Sequence, residues 1–197
     1  HNGSRGLGDV YKRQMQSLAA MLEERNLLKV TTAELAKRSE ITEAAIYKHF
    51  PSKRKIFEEL VIFFEESIFT RIKAMKKETK PEDFPGQLIA LVLKFCETNK
   101  GFSRILTREV FTADEVKIID KVSNCFEKIN IEIRQSLQEY ERTTKKKLNL
   151  NLAASCDLLL SCLEGQIQSF VRSKFKKDLS GSWEDQWNFL KKAIFAN

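Results

Sequence analysis

Hydrophobic residues recur at intervals of three and four along most of the chain, and no segment shows the strict alternation that indicates a strand. Beyond residue 14 only four glycines and three prolines interrupt this pattern. The pattern therefore predicts an all-α fold made of long helices. The expected helices cover 15–25, 32–38, 42–49, 52–78, 84–99, 102–109, 113–144, 151–177 and 183–195.

The segment 31–57 predicts two short helices that meet at a tight turn and are followed by the start of a third. Thr31 is a candidate N-cap, and Glu34 completes a capping box. Thr42 is the candidate N-cap of the second helix, which Pro51 terminates because proline disfavours helical geometry in the preceding residue. Ser52 then caps the third helix. This layout is typical of a helix-turn-helix DNA-binding domain.

In such a domain the second helix lies in the major groove, with its N-terminal residues nearest the base edges. Small alanines there permit close approach and contact with a thymine methyl group, while tyrosine, lysine and histidine suit phosphates or bases. The alternative is that Tyr47 and His49 pack between helices. The candidate DNA-binding residues are Thr31, Thr32, Thr42, Glu43, Ala44, Ala45, Tyr47, Lys48, His49 and Lys53.

The net charge of +7 is not by itself a sign of DNA binding. Residues 15–60 contain eight Lys or Arg and seven Asp or Glu, so the expected DNA-binding segment is nearly neutral. The electrostatic argument therefore depends on a local cluster formed by Lys48, Lys53, Arg54 and Lys55.

Residues 1–14 differ from the rest of the chain because they hold three of its seven glycines and lack a helical period. The stretch 4–14 also resembles the translation of a transposon-end adapter used in sequencing libraries. We expect 1–14 to be a non-native, disordered segment and the authentic fold to begin at about Met15. The alternative is a natural flexible arm of the kind that touches the minor groove.

Several kinds of site are not expected from the sequence. Cys96, Cys125, Cys156 and Cys162 form no C-x-x-C pair and are expected to be reduced core residues. No apolar run is long enough for a membrane span. A Gly-rich phosphate loop, a metal-ligand cluster and a nucleophile–base pair are also missing, so we expect neither an enzyme nor a cofactor.

The C-terminal helices carry apolar residues at helical spacing, which predicts one buried face for each. Two such helices from each of two subunits could form a bundle, and symmetric dimers are the default among soluble oligomers. The alternative is that both helices belong to the core of a monomer. The candidate interface residues are Leu159, Leu163, Ile167, Phe170 and Trp187.

The helix at 52–78 contains five consecutive apolar residues, 60–64. Leu60, Val61, Phe64, Ile68 and Ile72 form one stripe of this helix, whereas Ile62, Phe63 and Phe69 lie off it. Either the helix is buried on several sides or part of its apolar surface serves a partner.

The pattern I-Y-x-H-F-x-S-K at 46–53 resembles the TetR family of regulators. The resemblance implies a helix-turn-helix domain of three helices over 15–60 and a C-terminal helical domain over 61–197, whose last two helices make a homodimer. The chain departs from the family at the interhelical turn, where Ser39 and Glu40 stand in place of the usual glycine. A residue other than glycine at positive φ there would cost about 1 kcal/mol.

Four C-terminal segments resemble a narrower group within this family, the nucleoid occlusion factors of proteobacteria. These are FEESIFTRI (64–72), NKGFSRILT (99–107), FEKINIEIRQSL (126–137) and EGQIQSFVRSKFK (164–176). The resemblance implies a cytoplasmic, nucleoid-associated protein that binds palindromic chromosomal DNA as a dimer or a dimer of dimers. The DNA-bound form would contact the C-terminal tail of the division protein FtsZ, inhibit ring assembly and prevent septum formation over the nucleoid.

The same resemblance places the FtsZ tail between the helices at 52–78 and 84–99. The matching contact positions are Phe63, Arg71, Leu91 and Asn99, and Arg71 could pair with an acidic residue of the tail. Lys94 and Thr98 also belong to this surface but depart from the family's glycine and arginine.

The alternative function is that of a ligand-responsive transcriptional repressor of the TetR type. A core filled by apolar side chains would favour the nucleoid occlusion factor. A sizeable cavity with convergent polar groups would favour the repressor.

Overall fold

The computed structural model describes residues 11, 15–24, 32–38, 40, 42–112 and 115–195. Within these ranges the side chains of Thr32, Leu35, His49 and Lys53 are not described. Every regular element in this part of the chain is a helix, and one isolated bridge joins Leu148 to Phe195. The predicted all-α fold is therefore confirmed.

The helices follow one another as the hydrophobic pattern predicts. The described part of the first helix, α1, covers 15–23. The others are α2 Thr32–Arg38, α3 Glu43–His49, α4 Lys53–Glu78, α5 Phe84–Thr98, α6 Lys100–Leu106, α7 Val116–Thr144, α8 Leu152–Arg172 and α9 Leu179–Ile194.

Side chains fix the starts of the helices around the predicted helix-turn-helix. The backbone N–H of Ala45 donates to Thr42 Oγ1 at 3.2 Å, which confirms Thr42 as the N-cap of α3. The N–H of Lys55 donates to Ser52 Oγ at 3.2 Å before α4. Each bond satisfies a backbone donor that the first turn of a helix leaves without a partner. The capping role predicted for Thr31 lies outside the described residues.

Two C-terminal boundaries were predicted wrongly. Helix α9 begins at Leu179 because Asp178 accepts from Gly181 N at 2.9 Å, so the start predicted at residue 183 is wrong. Helix α8 ends at Arg172 instead of continuing to 177. Lys174 and Phe175 have φ values of 56° and 61°, which cannot continue a right-handed helix.

The turn between α2 and α3 contains a residue in the left-handed conformation. Glu40 has φ of 55°. A side chain with a Cβ costs about 1 kcal/mol in this region, which is why glycine is favoured there. The departure noted in the sequence therefore corresponds to a turn with local backbone strain.

The described residues form two compact units. Unit 1 comprises the described residues up to Phe64 together with Asn99–Val122, and unit 2 comprises Glu65–Thr98 together with the described residues from Ser123 onward. The sequence suggested a boundary after residue 60 and did not anticipate that 99–122 would pack with the N-terminal helices.

A close approach between α6 and α1 explains why 99–122 belongs to unit 1. A Cβ built on Gly101 would lie 2.0 Å from the carbonyl oxygen of Ala19, so only glycine fits at this contact. Lys100 pairs with Glu23 at 3.1 Å beside it. The Phe102 ring stacks on Phe63 with the ring centroids 5.9 Å apart.

Of residues 1–14 the structure describes Tyr11 alone. Tyr11 is helical, and its hydroxyl donates to Glu59 Oε2 at 3.0 Å. Tyr11 is therefore in contact with the fold, although the sequence predicted a segment outside it. For the other residues of 1–14 the prediction lies outside the described residues.

In unit 2, helix α5 packs against α8 and α9. Trp183 Nε1 donates to the carbonyl oxygen of Gly86 at 2.9 Å. A Cβ on Gly86 would lie 2.2 Å from the Trp187 ring, so the absence of a side chain lets α9 lie directly on the backbone of α5. The interior positions are apolar, including Leu88, Val92, Leu159 and Leu163.

The four cysteines are free, and Cys96, Cys125 and Cys156 are buried, while Cys162 is half-buried. Burial, followed by the neighbouring Glu65 carboxylate, raises the pKa of Cys125 to about 12. That thiol therefore stays protonated at neutral pH. In the described part of the chain no helix is both long and apolar enough to cross a membrane.

Candidate nucleic-acid interface

Helices α2 and α3 pack together through one face of each. Ala36, Ile46 and Phe50 are buried and hold the pair to unit 1. Three residues at helical spacing, Ala44, Tyr47 and Lys48, share the opposite face of α3, and all three are exposed. The local sequence therefore produces a helix with one anchored face and one face open to solvent.

The open face has the chemistry of a DNA-reading surface. Tyr47 is 50% exposed, which argues against the alternative that it packs between helices. Ala44 presents only a methyl group and leaves room for a base edge. Lys48 forms no ion pair with any described residue, so its ammonium group is available for a phosphate. Glu43 is also exposed, and its negative charge interacts favourably with the positive N-terminal end of the α3 dipole.

The predicted basic cluster is partly neutralised by acidic residues of α4. Arg54 pairs with Glu58 at 3.4 Å, and Lys55 pairs with Glu59 at 2.9 Å. The sequence alone did not show these pairs, although their i, i+4 spacing was a signal. Of the described basic residues in this cluster, Lys48 retains the strongest case for a phosphate contact.

A second ionic contact ties α2 to the end of α1. Arg38 binds Glu24 through both guanidinium nitrogens, at 2.9 and 2.5 Å, and also contacts Glu34 at 3.2 Å. The hydrogen bond from Arg38 lowers the pKa of Glu24. Such a fork-shaped pair orients α2, which in turn supports α3.

Four of the predicted DNA contacts cannot be placed. Thr31 lies outside the described residues, as do the side chains of Thr32, His49 and Lys53. Ala45 is described and is half-buried, so it offers less surface than Ala44. The DNA-binding roles of all these residues remain predictions.

The residues proposed for a dimer interface lie mostly inside unit 2. Leu159, Leu163, Ile167 and Phe170 are buried within the single chain. Trp187 is half-buried and stacks on Trp183 at 6.2 Å. The periodicity identified the buried face of α8, but these side chains offer little surface to a second copy.

The outer face of the same helices contains a different set of residues. Leu158, Cys162, Gly165 and Ser169 follow one another at helical spacing along α8, and Leu158 and Gly165 are exposed. A Cβ added at Gly165 would meet nothing within 4 Å. On α9, Phe189 is 73% exposed, the largest exposed fraction among the exposed large hydrophobic residues described. An exposed phenylalanine of this kind is typical of an interaction surface.

The residues implied for the FtsZ tail are divided between the two units. In unit 2, Leu91, Lys94 and Thr98 share one face of α5, with Leu91 half-buried and the other two exposed. Arg71 is exposed on α4. In unit 1, Phe63 is half-buried against Phe102.

The remaining residue of this set, Asn99, is in unit 1 and occupies the position before α6 without capping it through its side chain. On α4 the predicted apolar stripe is confirmed, because Leu60, Val61, Phe64, Ile68 and Ile72 are all buried. Phe63, which lies off that stripe, is only half-buried.

Glu97 joins α5 to the start of α9 and was not predicted from the sequence. Its carboxylate accepts from the backbone N–H groups of Leu179 at 2.8 Å and Ser180 at 2.9 Å, and also from Ser180 Oγ. Lys94 lies 3.4 Å away on the same helix. Partial burial raises the pKa of Glu97, but the bonds from Ser180, Leu179 and Lys94 outweigh it and lower the pKa to about 2.

Within the described ranges no group of three His, Cys, Asp or Glu side chains could hold a metal ion. Of the described groups whose pKa is shifted, Glu24 and Glu97 bind neighbouring helices, and Cys125 is buried.

Comparison with known proteins supports both halves of this description. Residues 16–60 match the family described as bacterial regulatory proteins of the tetR family. Residues 86–194 match the family described as the tetracyclin repressor-like, SlmA-like C-terminal domain. The first match covers the helix-turn-helix, and the second covers α5 to α9.

Curated relatives are similar along nearly the whole chain. The nucleoid occlusion factor SlmA of Shewanella baltica is 38% identical over 177 residues, which are 89% of this chain and 90% of that protein. The protein of the same name from Marinomonas sp. is 34% identical over 184 residues, 93% of each chain.

Solved structures show the same fold at low sequence identity. The fatty acid degradation regulator FadR of Bacillus halodurans superposes with a TM-score of 0.77 at 14% identity, over 95% of this chain and 97% of that one. The TetR family regulator PfmR of Thermus thermophilus gives 0.70 at 16% identity, over 93% of this chain and all of that one. The chain belongs to the nucleoid occlusion factor SlmA family, within the TetR family of helix-turn-helix DNA-binding regulators.

Proposed function

We propose that this protein binds palindromic chromosomal sites as a homodimer and, when bound to DNA, inhibits FtsZ ring assembly over the nucleoid. It acts as an adaptor between DNA and the division machinery, without catalysis, in the cytoplasm at the nucleoid. The observation that carries the proposal is the open face of α3 in a chain that resembles SlmA proteins along nearly its full length.

DNA binding through α3 is supported by how that helix is held. Ile46 and Phe50 anchor it, and Thr42 caps its N-terminus, so the end that would meet the base edges is structurally defined. Tyr47 and Lys48 then extend from the exposed side toward bases and phosphates. Palindromic sites follow if two copies present their α3 helices about one turn of DNA apart.

Dimerisation is supported by the outer face of α8 and α9. The lack of any neighbour around Gly165 allows a second helix to approach closely, and Phe189 supplies exposed apolar area on α9. Linking two reading helices raises affinity for a two-fold site without adding any contact to the individual half-site. This surface replaces the buried residues that the periodicity first suggested.

Contact with an FtsZ tail rests on the family resemblance and on the surface chemistry of α4 and α5. Arg71 is exposed and forms no ion pair with the described residues, so it could bind a carboxylate of a peptide. Leu91 adds a half-buried apolar position. Lys94 lies near Glu97 and remains 70% exposed, so a cation is present on this face where relatives are expected to have glycine.

The tail contact is tested by fluorescence anisotropy with a labelled peptide of the FtsZ C-terminal tail. Arg71→Ala should weaken peptide binding about tenfold, since a charge-assisted hydrogen bond contributes about 1.5–3 kcal/mol. Lys73→Ala removes the same charge two residues along α4, from a different face, and should leave the affinity unchanged. Equal affinities for wild type and Arg71→Ala would remove Arg71 from the site.

The ligand-responsive repressor is a second candidate because unit 2 contains a sizeable cleft with polar side chains. The cleft has a volume of about 530 Å³. A small ligand that released the protein from DNA would favour the repressor, whereas DNA-stimulated loss of FtsZ polymer would favour the adaptor.

A further inference from the structure

The cleft in unit 2 lies where the C-terminal ends of α7 and α9 meet the segment that follows α7. Its volume of about 530 Å³ falls within the range of small-molecule sites. Its lining is unusually rich in lysine and comprises Glu82, Tyr140, Thr144, Lys146, Asn188, Lys191, Lys192 and Phe195. Neither DNA reading nor the proposed FtsZ and dimer surfaces use these residues.

The lysines outnumber the acidic groups that could neutralise them. Lys191 pairs with Asp83 beside the cleft, and Glu82 is the one carboxylate among the lining residues. Lys146 and Lys192 are exposed and form no ion pair with any described residue. With three lysines against Asp83 and Glu82, the cleft therefore has one net positive charge, and the ammonium groups of Lys146 and Lys192 are available to a ligand.

A plain explanation for lysines at this place is that they cap the negative ends of helices. Three carbonyl oxygens at these ends already have other donors. Thr144 Oγ1 donates to the Tyr140 carbonyl at 2.7 Å, and Lys145 N donates to the Glu141 carbonyl at 3.1 Å. Asn149 N donates to the Ile194 carbonyl at 2.8 Å. These three carbonyl oxygens are therefore satisfied without Lys146 or Lys192.

The floor of the cleft is rigid, which favours a preformed site. The Tyr140 and Phe195 rings meet edge to face with centroids 4.7 Å apart. Leu148 and Phe195 form a backbone bridge, and Asn149 Nδ2 donates to the Phe195 carbonyl at 3.2 Å. These contacts fix the segment that carries Lys146 against the end of α9, which carries Lys192.

We propose that this cleft binds a small molecule with a diphosphate or triphosphate group. Two lysines that line one cleft without an ion pair to any described residue match a compact group that carries several negative charges, and lysine binds phosphate as a point charge. Asn188 adds an amide donor. Glu82 would repel the phosphates and instead accept a hydrogen bond from a hydroxyl or amino group at the other end of the ligand. A nucleotide and free pyrophosphate share the phosphate chemistry.

Isothermal titration calorimetry on the full chain, with ADP and with pyrophosphate as separate probes, tests the site. Saturable binding should weaken at least tenfold in the double variant Lys146→Ala/Lys192→Ala and several-fold between 50 and 200 mM salt. The control is Lys73→Ala/Lys176→Ala, which removes the same charge from exposed positions outside the cleft and should bind like wild type.

The probes separate the two sources of the phosphate group. Tighter binding of ADP than pyrophosphate supports a nucleotide site, and equal binding supports a site for the phosphate group alone. The proposal is overturned if neither probe binds saturably at millimolar concentration, or if the control variant loses as much affinity as the cleft variant.

Discussion

The helix-turn-helix of unit 1 and the α8–α9 pair of unit 2 were both predicted from the sequence, but the residues proposed as functional are mostly exposed in the first and mostly buried in the second. In α3, Ile46 is buried, whereas Ala44, Tyr47 and Lys48, which are among the residues predicted to read DNA, are exposed. In α8, Leu163 and Ile167 were predicted to meet a second subunit and are instead buried in the same chain. A periodic stripe identifies a buried face, but it does not identify the surface that buries it.

The difference arises from what each function requires of a side chain. A DNA-reading helix needs polar and small residues that point to solvent, and these stand out against an apolar pattern. A dimer-forming helix needs apolar residues both for its own core and for its partner, and one sequence pattern describes both. Gly165 and Phe189 can therefore be recognised as candidate interface positions only from the structure, which shows which apolar residues the chain buries in its own core.

The largest expected effect is on the packing of unit 2. Gly86→Ala places a methyl group 2.2 Å from the Trp187 ring and should reduce the free energy of unfolding by about 1–3 kcal/mol. In the dissociated chain, Gly165→Ala adds the same methyl group in open space, where alanine gains up to about 1 kcal/mol of helix propensity, so both variants are compared at a concentration below that at which the protein dimerises. Urea denaturation of both variants measures the contrast, and similar destabilisation of the two would contradict the packing described for Gly86.

The next largest effect is expected on the stability of the proposed dimer. Gly165→Glu should weaken the dimer at least tenfold because it places a charge on the outer face of α8, while the helix content by circular dichroism stays the same. Ala153→Glu introduces the same side chain at an exposed position off that face and should leave the dimer intact. Sedimentation velocity over a concentration series measures both, and an undisturbed Gly165→Glu dimer would place the interface elsewhere.

Loss of the N-cap of α3 should lower the stability of unit 1. Thr42→Ala removes the oxygen that accepts from Ala45 N at 3.2 Å and should cost about 1 kcal/mol of stability in unit 1. Thr42→Ser keeps an acceptor and should behave like wild type in thermal unfolding. If both variants lower the midpoint equally, the methyl group of Thr42, and not its hydroxyl, is what stabilises α3.

A smaller and more specific effect is expected at Lys48. If Lys48 contacts one phosphate, Lys48→Ala should reduce the slope of log affinity against log salt by about 0.9. Lys176→Ala, which removes an exposed charge outside unit 1, should leave the slope unchanged. Anisotropy titrations at several salt concentrations measure the slopes, and an unaltered slope for Lys48→Ala would exclude the contact.

A pH-dependent effect is expected from Glu97. Its pKa is lowered to about 2 from an ordinary value of 4.5, so its contribution is present above about pH 4.5 and is lost as the pH falls toward 2. The stability difference between wild type and Glu97→Gln should therefore shrink over this interval. A difference that stays constant from pH 6 to pH 2.5 would show that the charge on Glu97 does not hold α9.

The features that were predicted correctly from the sequence depend on interactions between residues close together in the chain. Thr42 and Ser52 fix helix starts through their own hydroxyls, and Glu40 lies in the turn where the missing glycine predicted strain. The sequence missed the start of α9 because Asp178 lies outside the apolar pattern that was used to find helices. Contacts over long sequence separations were also missed, including the bonds from Leu179 and Ser180 to Glu97.

The most direct test of the proposed function is sedimentation of FtsZ polymers with this protein, in the presence and absence of a palindromic duplex that the protein itself selects from a random pool. The account predicts that pelleted FtsZ falls when protein and duplex are both present and falls much less with either alone. Pelleted FtsZ that is the same with and without the selected duplex would contradict it.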